Sequence, residues 1–345
     1  MNPARDARGA AREGAGTGAP VLRVEHLVKH FPVPRKRLFG PPARVHAVDD
    51  VSFEIAGGET LALVGESGCG KSTVGRAILR LVPPTSGEVW LEGRRIDALP
   101  EARLRPLRHR MQVVFQDPFS SLNPRLRVRD LIGEPLRNLR PHEPRALREQ
   151  RVVGLLERVR LPVDAIGRFA HEFSGGQRQR IGIARALATD PTLVVCDEPV
   201  SALDVSVKAQ IVNLLADLQT DGGLAMLFVS HDMAIVEHLA HRVAVMYLGR
   251  IVEIADRRRL FAAPAHPYTE ALLSAVPVPE PGARRDRIVL NGDVPSPIDP
   301  PAGCRFHTRC PRAFERCRVE SPALRPIAVG HAVACHLHEG AAAPG

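Results

Sequence analysis

Apolar positions along this 345-residue chain repeat with two periods. Val21–Val28 alternates apolar and polar residues, and so does Ala47–Ile55, so both predict half-buried strands. Between them, Phe31-Pro32 to Arg44 is basic and Pro-containing and predicts an exposed loop. Gly57-Gly58 turns the chain into the apolar strand Leu61–Val64, and further short strands are predicted at Glu88–Leu91 and Met111–Phe115. From about Asp117 the pattern changes to helical: Val128–Asn138, Pro144–Arg158 and Val163–Arg168, interrupted by Pro and Gly. Ser174 is an N-cap residue type, and Ile181, Ala184 and Leu187 or Ala188 behind it form a helical apolar stripe. Thr192–Cys196 and Ala225–Val229 are continuous apolar runs, as strands in the middle of a parallel sheet are, with a helix over Val207–Leu218 between them. Val243–Leu248, Gly249-Arg250 and Ile251–Ile254 predict a hairpin, and after Ala255 the pattern fades among prolines and four cysteines. Strands alternating with helices, each ending in a polar cluster, describe an open α/β sheet whose ligands bind beyond the strand carboxyl ends.

One such cluster is Gly65-Glu66-Ser67-Gly68-Cys69-Gly70-Lys71-Ser72-Thr73, with a helix predicted from Lys71 to Leu79. This is G-x-x-x-x-G-K-[ST], the phosphate-binding P-loop. Its glycines let backbone N–H groups turn inward around a phosphate, and the following helix adds its positive dipole end. Lys71 neutralises phosphate charge, and the Ser72 hydroxyl is a Mg²⁺ ligand. A chain of this length matches by accident roughly once in a hundred. Topology brings three more clusters to the same edge: Asp197-Glu198, Ser230-His231 and Gln116. Asp197 would hold Mg²⁺ with Ser72, and Glu198 would polarise the attacking water. His231 would reach the terminal phosphate, and Gln116 would touch Mg²⁺ or the water. Singly, an Asp-Glu pair is more often a turn or cap and a lone His more often structural; in this order together they are not.

Charge and composition change little. The net charge of +9 comes from 43 arginines and four lysines spread along the chain, a solvated surface and not a nucleic-acid patch. Hydrophobic residues make up 44%, enough for a large core, and no apolar run approaches the 18 residues of a membrane span. The first twenty residues, rich in Ala, Gly and Arg, predict a disordered tail and not a signal peptide, which implies a cytoplasmic protein.

At Ser174-Gly175-Gly176-Gln177 the chain resembles the ABC-transporter ATPases, whose signature is this stretch. Walker A (Gly65–Ser72), Q-loop Gln116, Walker B (Leu193–Asp197), catalytic Glu198, the D-loop Ser201–Asp204 and H-loop His231 follow the family's order. The resemblance implies a RecA-like P-loop core with an antiparallel β subdomain, an inserted helical subdomain over about 118–180 and a small irregular C-terminal domain. It divides the chain into a tail (1–20), an ATPase domain (21–255) and a C-terminal domain (256–345). It also implies a head-to-tail dimer around two ATP molecules with Mg²⁺, in which Ser174 of one subunit completes the P-loop site of the other. The family places an aromatic on adenine near Phe31; from the residues alone, Phe31 serves equally as core.

Phe115-Gln116-Asp117-Pro118, Ser121–Arg125, His266-Pro267-Tyr268-Thr269 and Gly303–Pro311 further resemble the dipeptide/oligopeptide (and nickel) importer ATPases. That implies a second, non-identical ATPase, two transmembrane permeases and an extracytoplasmic binding protein, with this chain on the cytoplasmic face of the membrane. Cys304, Cys310, Cys317 and Cys335 lack the C-x2-C knuckle of zinc sites. Four thiolates can hold a [4Fe–4S] cluster, as the resemblance suggests, or stay free as small apolar residues. ABC ATPases of nucleic-acid repair, the main rival class, carry a long insertion between P-loop and signature, but here Lys71 and Ser174 are only 103 residues apart.

Overall fold

The computed structural model describes residues 19–33, 43–276 and 287–339. Most of the expected tail and residues 34–42 of the expected loop lie outside this set. β1 (Leu22–Pro32) and β2 (Arg44–Ile55) form an antiparallel ladder, and β3 (Thr60–Val64) leads through the P-loop into α1 (Lys71–Ile78). β4 (Ser86–Leu91) and β5 (Arg94–Arg95) complete the four-stranded order β2-β1-β4-β5. The first ladder is longer than the alternation predicts, because Phe31 pairs with Val45 and Pro32 with Arg44. These residues belong to strands and not to a loop. Left-handed backbone at His26 (φ 49°) and Asp50 (φ 65°) accompanies register shifts in the ladder, and such bulges break the period-2 pattern that sequence reading relies on.

After α2 (Glu101–Leu104) and β6 (Met111–Val114), three helices pack together: α3 (Val128–Leu139), α4 (Arg145–Arg158) and α5 (Gly175–Leu187). Their shared core includes Leu131, Ile132, Leu136, Leu155 and Leu156. The helix expected over Val163–Arg168 is one 3-10 turn, Val163–Gly167, confined between Pro162 and extended Arg168. The chain then runs β7 (Leu193–Asp197), α6 (Val205–Gly222), β8 (Ala225–Ser230), α7 (Met233–Leu239), β9 (Arg242–Tyr247) and β10 (Arg250–Asp256). Leu248 (φ 42°) and Gly249 (φ 83°) make the two-residue primed turn that suits a hairpin between β9 and β10.

β9, β3, β8, β7 and β6 run parallel in that order, with β6 at the edge of a larger sheet, and its central strands are covered on both faces. Leu61, Leu63, Val195, Leu227 and Val229 face the core shared with the antiparallel sheet. Ala62, Val64, Cys196, Met226 and Phe228 face the core shared with the helices. This two-sided burial is why these strands read as unbroken apolar runs.

Beyond Ala255, order comes from tertiary contacts. α8 (Arg257–Ala262), α9 (Pro267–Ser274) and α10 (Glu315–Val319) precede β11 (Arg325–Ala328) and β12 (His331–Val333), and β12 pairs with β10 to extend the larger sheet. Fully buried Glu253 on β10 accepts the N–H groups of Ala265 and His266 at 2.8 and 2.9 Å and lies 2.8 Å from His331 Nε2. Burial alone would raise this carboxyl, but His331 and the two amides outweigh it and hold it below the usual range. Tyr247, Tyr268 and Phe306 meet with ring centroids 4.8 to 5.3 Å apart, joining the segment to the main core.

Candidate functional site

The P-loop shape is forced by close approach. A Cβ at Gly65 (φ 151°) would stand 2.1 Å from the Met246 carbonyl, and one at Gly70 (φ 108°) 1.9 Å from that of Ala47. Ser67 and Gly68 are exposed at the loop's crest, while Glu66 and Thr73 are half-buried. Cys69 is buried, and burial pushes its thiol up against the pull of Lys71. Lys71, 4% exposed, folds its ammonium back onto the loop and donates to the carbonyls of Gly65 (2.8 Å) and Glu66 (2.9 Å).

Two pairings assemble around it. On α1, the Ser72 hydroxyl donates to Asp197 Oδ1 at 2.6 Å, at the carboxyl end of β7. Glu198 follows in left-handed backbone (φ 46°), a strain of about 1 kcal/mol or more for a non-glycine residue. Its own N–H donates to Val229 (3.1 Å), and its carbonyl accepts the Ser201 hydroxyl (3.1 Å), which together hold the turn. The turn aims Glu198 at Gln116, whose Nε2 donates to Oε2 at 3.2 Å, and at His231, whose Nδ1 stands 3.4 Å from the same oxygen. The His231 side chain is 56% exposed while that of Glu198 is largely covered, so the pair lies where the site meets solvent.

The signature residues are built but stand apart. Ser174 and Gln177 form a reciprocal capping box at the start of α5: Ser174 N–H donates to Gln177 Oε1 (3.0 Å), and Gln177 N–H to Ser174 Oγ (3.4 Å). A Cβ on Gly175 would meet Leu203 and Phe119, and one on Gly176 would strike Val207 at 2.4 Å. Among the described residues, no hydrogen bond or ion pair joins Ser174–Gln177 to Gly65–Thr73. Asp204 is exposed at the start of α6, and half-buried Phe31 carries the Lys29 ammonium 4.9 Å over its ring.

Sequence reasoning missed three residues. Arg76 lies 3.8 Å from Asp197 Oδ2; its i+4 spacing from Ser72 on α1 was the available signal. Tyr268 and Arg309 reach the P-loop from 202 and 243 residues away, and no local pattern announces that.

The four late cysteines are free, with Cys317 buried and the others half-buried. Burial, reinforced by the neighbouring thiols, pushes Cys304 up to about 11, and Cys310 and Cys335 move the same way. The four therefore share one locality. Among the described residues, the trio of ligand atoms within 4.8 Å of one another is His30, His46 and Asp49. The cysteine sulfurs are thus spread wider than the roughly 3.8 Å spacing of one tetrahedral zinc. The His–His–Asp trio suits a cation poorly, because Arg250 and Arg305 already face Asp49.

Comparison with known proteins agrees with this geometry. Residues 48–201 match the ABC transporter family model, and 252–317 match that of the oligopeptide/dipeptide transporter C-terminal region. The chain is 55% identical to the probable peptide ABC transporter ATP-binding protein y4tS of Sinorhizobium fredii, across 94% of this chain and 91% of that one. It is 50% identical to the oligopeptide transport ATP-binding protein AppF of Bacillus subtilis, across 92% and 97%. Among solved structures, it resembles a dimeric, post-hydrolysis state of the ATP-binding cassette MJ0796 bound to ADP and Pi. The TM-score is 0.61 at 27% identity, covering 69% of this chain and 99% of the other. The chain belongs to the ABC transporter ATP-binding proteins, in the group that carries the oligopeptide/dipeptide transporter C-terminal region.

Proposed function

We propose that this chain is the ATP-hydrolysing subunit of an importer for di- or oligopeptides. The observation that carries the reading is the joining, in one chain, of an assembled phosphate site and a C-terminal region of the peptide-transporter type. Gly65 to Thr73 cradle the phosphates, with Lys71 leaving its carbonyls to meet their charge. Ser72 Oγ and Asp197 Oδ1, 2.6 Å apart, offer the paired hard oxygens that Mg²⁺ takes, so the residues fit that ion. When bound, Mg²⁺ neutralises phosphate charge and orients the terminal group. Glu198 accepts a proton from the attacking water, and Gln116 and His231 hold its carboxylate in place. Ser174–Gln177 and Asp204 serve the site of a second ATPase subunit, which we read as a non-identical sibling, and Phe31 packs on adenine.

Among the described residues, no helix is long and apolar enough to cross a membrane. Passage of cargo then falls to two partner permeases, with this subunit peripheral on the cytoplasmic face and an extracytoplasmic binding protein supplying peptide; nucleic acid has no part. For the four cysteines our reading is a [4Fe–4S] cluster, four thiolates being the donors such a cluster takes. Iron and sulfide in anaerobically purified protein would support it, and colourless, iron-free protein would remove it. The main test is gentle solubilisation of native membranes followed by mass spectrometry. Two permeases and a second cassette ATPase co-purify if the reading is right; a soluble complex with nucleic acid or repair proteins would sink it.

A further inference from the structure

We propose that Tyr268 and Arg309, both in the C-terminal segment, are positioning residues for nucleotide: they hold the Glu66 peptide in the shape that receives phosphate. The inference rests on the reading that Gly65–Thr73 binds ATP. Side chains tie Glu66 at three points. Its N–H donates to the Tyr268 hydroxyl at 2.8 Å, its carbonyl accepts from Lys71 Nζ at 2.9 Å, and its carboxylate takes both arms of Arg309 at 2.7 and 3.2 Å. Tyr268 is fully buried, its ring set against Tyr247 and Phe306, and the Arg309 side chain is 8% exposed. Both groups are therefore fixed before any ligand arrives.

The three ties differ in permanence. Lys71 must give its ammonium to phosphate; the Gly65 carbonyl then loses that donor, and the Glu66 carbonyl keeps only the Cys69 N–H (3.3 Å), from within the loop itself. The ties from Tyr268 and Arg309 come from outside the loop and do not depend on Lys71. They keep the Glu66 peptide in place while the amides of exposed Ser67 and Gly68 turn toward the ligand. A loop without them has to be ordered by the nucleotide itself, and that cost appears as weaker affinity. The fork geometry matters, since a guanidinium meets a carboxylate with two parallel bonds and a lysine with one.

The test titrates a fluorescent ATP analogue with Mg²⁺ into the full chain. Tyr268→Phe and Arg309→Met are each expected to raise Kd about five- to tenfold, tenfold being about 1.4 kcal/mol, with Tm within a few degrees of wild type. A double-mutant cycle of Arg309→Met with Glu66→Gln is expected to show coupling in Kd. Arg309→Lys serves if the methionine variant does not fold, with an intermediate loss expected. Kd values within twofold of wild type would overturn the proposal, whatever happens to Tm, since contacts that only anchor the segment would move stability alone. Lys71→Ala separates the two readings: it should abolish binding, and unchanged binding there would overturn the ATP site itself.

Discussion

His266 makes folding stability depend on pH in a way the structure quantifies. Its imidazole is 1% exposed, caps α9 by accepting the Tyr268 N–H at Nδ1 (3.1 Å), and packs 5.6 Å from Phe306. Burial drives its pKa from 6.5 down to about 4, with His338 and Arg312 pushing the same way and Glu253 opposing. The unfolded chain thus binds the proton more readily than the folded one, so stability is full above the unfolded pKa and declines as pH falls from 6.5 toward 4. The whole difference is about 3 kcal/mol; from pH 7.5 to 5 it amounts to about 2 kcal/mol, or about 3 °C in Tm for a chain of this size. His266→Asn keeps a good N-cap and removes the titration. The variant loses ring packing at every pH, so the informative quantity is the slope. Calorimetric Tm measured from pH 5 to 7.5 should fall about 3 °C less in the variant than in wild type. Parallel curves would refute the burial argument, because the remaining groups, Glu253 among them, titrate in both proteins.

Other outcomes follow from the site. Glu198→Gln should lower phosphate release about 10²-fold or more while leaving ATP affinity near wild type; hydrolysis at the wild-type rate would remove Glu198 as proton acceptor. Gly70→Ala places a Cβ 1.9 Å from the Ala47 carbonyl on left-handed backbone, so nucleotide titration should show binding lost and calorimetry a lower Tm.

The parallel core was legible because burial on both faces leaves apolar runs with no alternation, as in Thr192–Cys196 and Ala225–Val229. The P-loop was legible because its phosphate-binding residues are contiguous in one turn, although the carbonyls its glycines must clear, those of Met246 and Ala47, lie elsewhere in the chain. Where bulges at His26 and Asp50 interrupt the pleat, the same reading ended β1 four residues early and assigned Phe31 to a loop. Past Ala255 the elements are short, and their order comes from partners far away in sequence: Glu253 holds Ala265 and His266, and Tyr268 and Arg309 hold Glu66. The motif His266–Thr269 was visible as spelling, but what it touches was not.

Ser174 is a helix cap in this chain, and the second role proposed for it, in a partner's site, can be separated from the cap by two substitutions but not by one. Within this chain it is an N-cap: its hydroxyl accepts the Gln177 N–H while Gln177 returns the bond to its backbone. Among the described residues, no hydrogen bond takes the N–H of Gly175 or Gly176, so the mouth of α5 keeps donors free for an anion from outside the subunit. Ser174→Ala removes the cap at a cost of about 1 kcal/mol and should lower both Tm and ATP turnover. Ser174→Asp caps as well as serine does and restores Tm, but it sets a carboxylate where the second role needs a neutral hydroxyl facing phosphate. If that role holds, the aspartate variant should bind ATP at its own P-loop yet fail to pair and turn over, as read by gel filtration with ATP and by phosphate release. An aspartate variant that hydrolyses ATP at the wild-type rate would reduce Ser174 to a helix cap and take the signature's part in the partner's site with it.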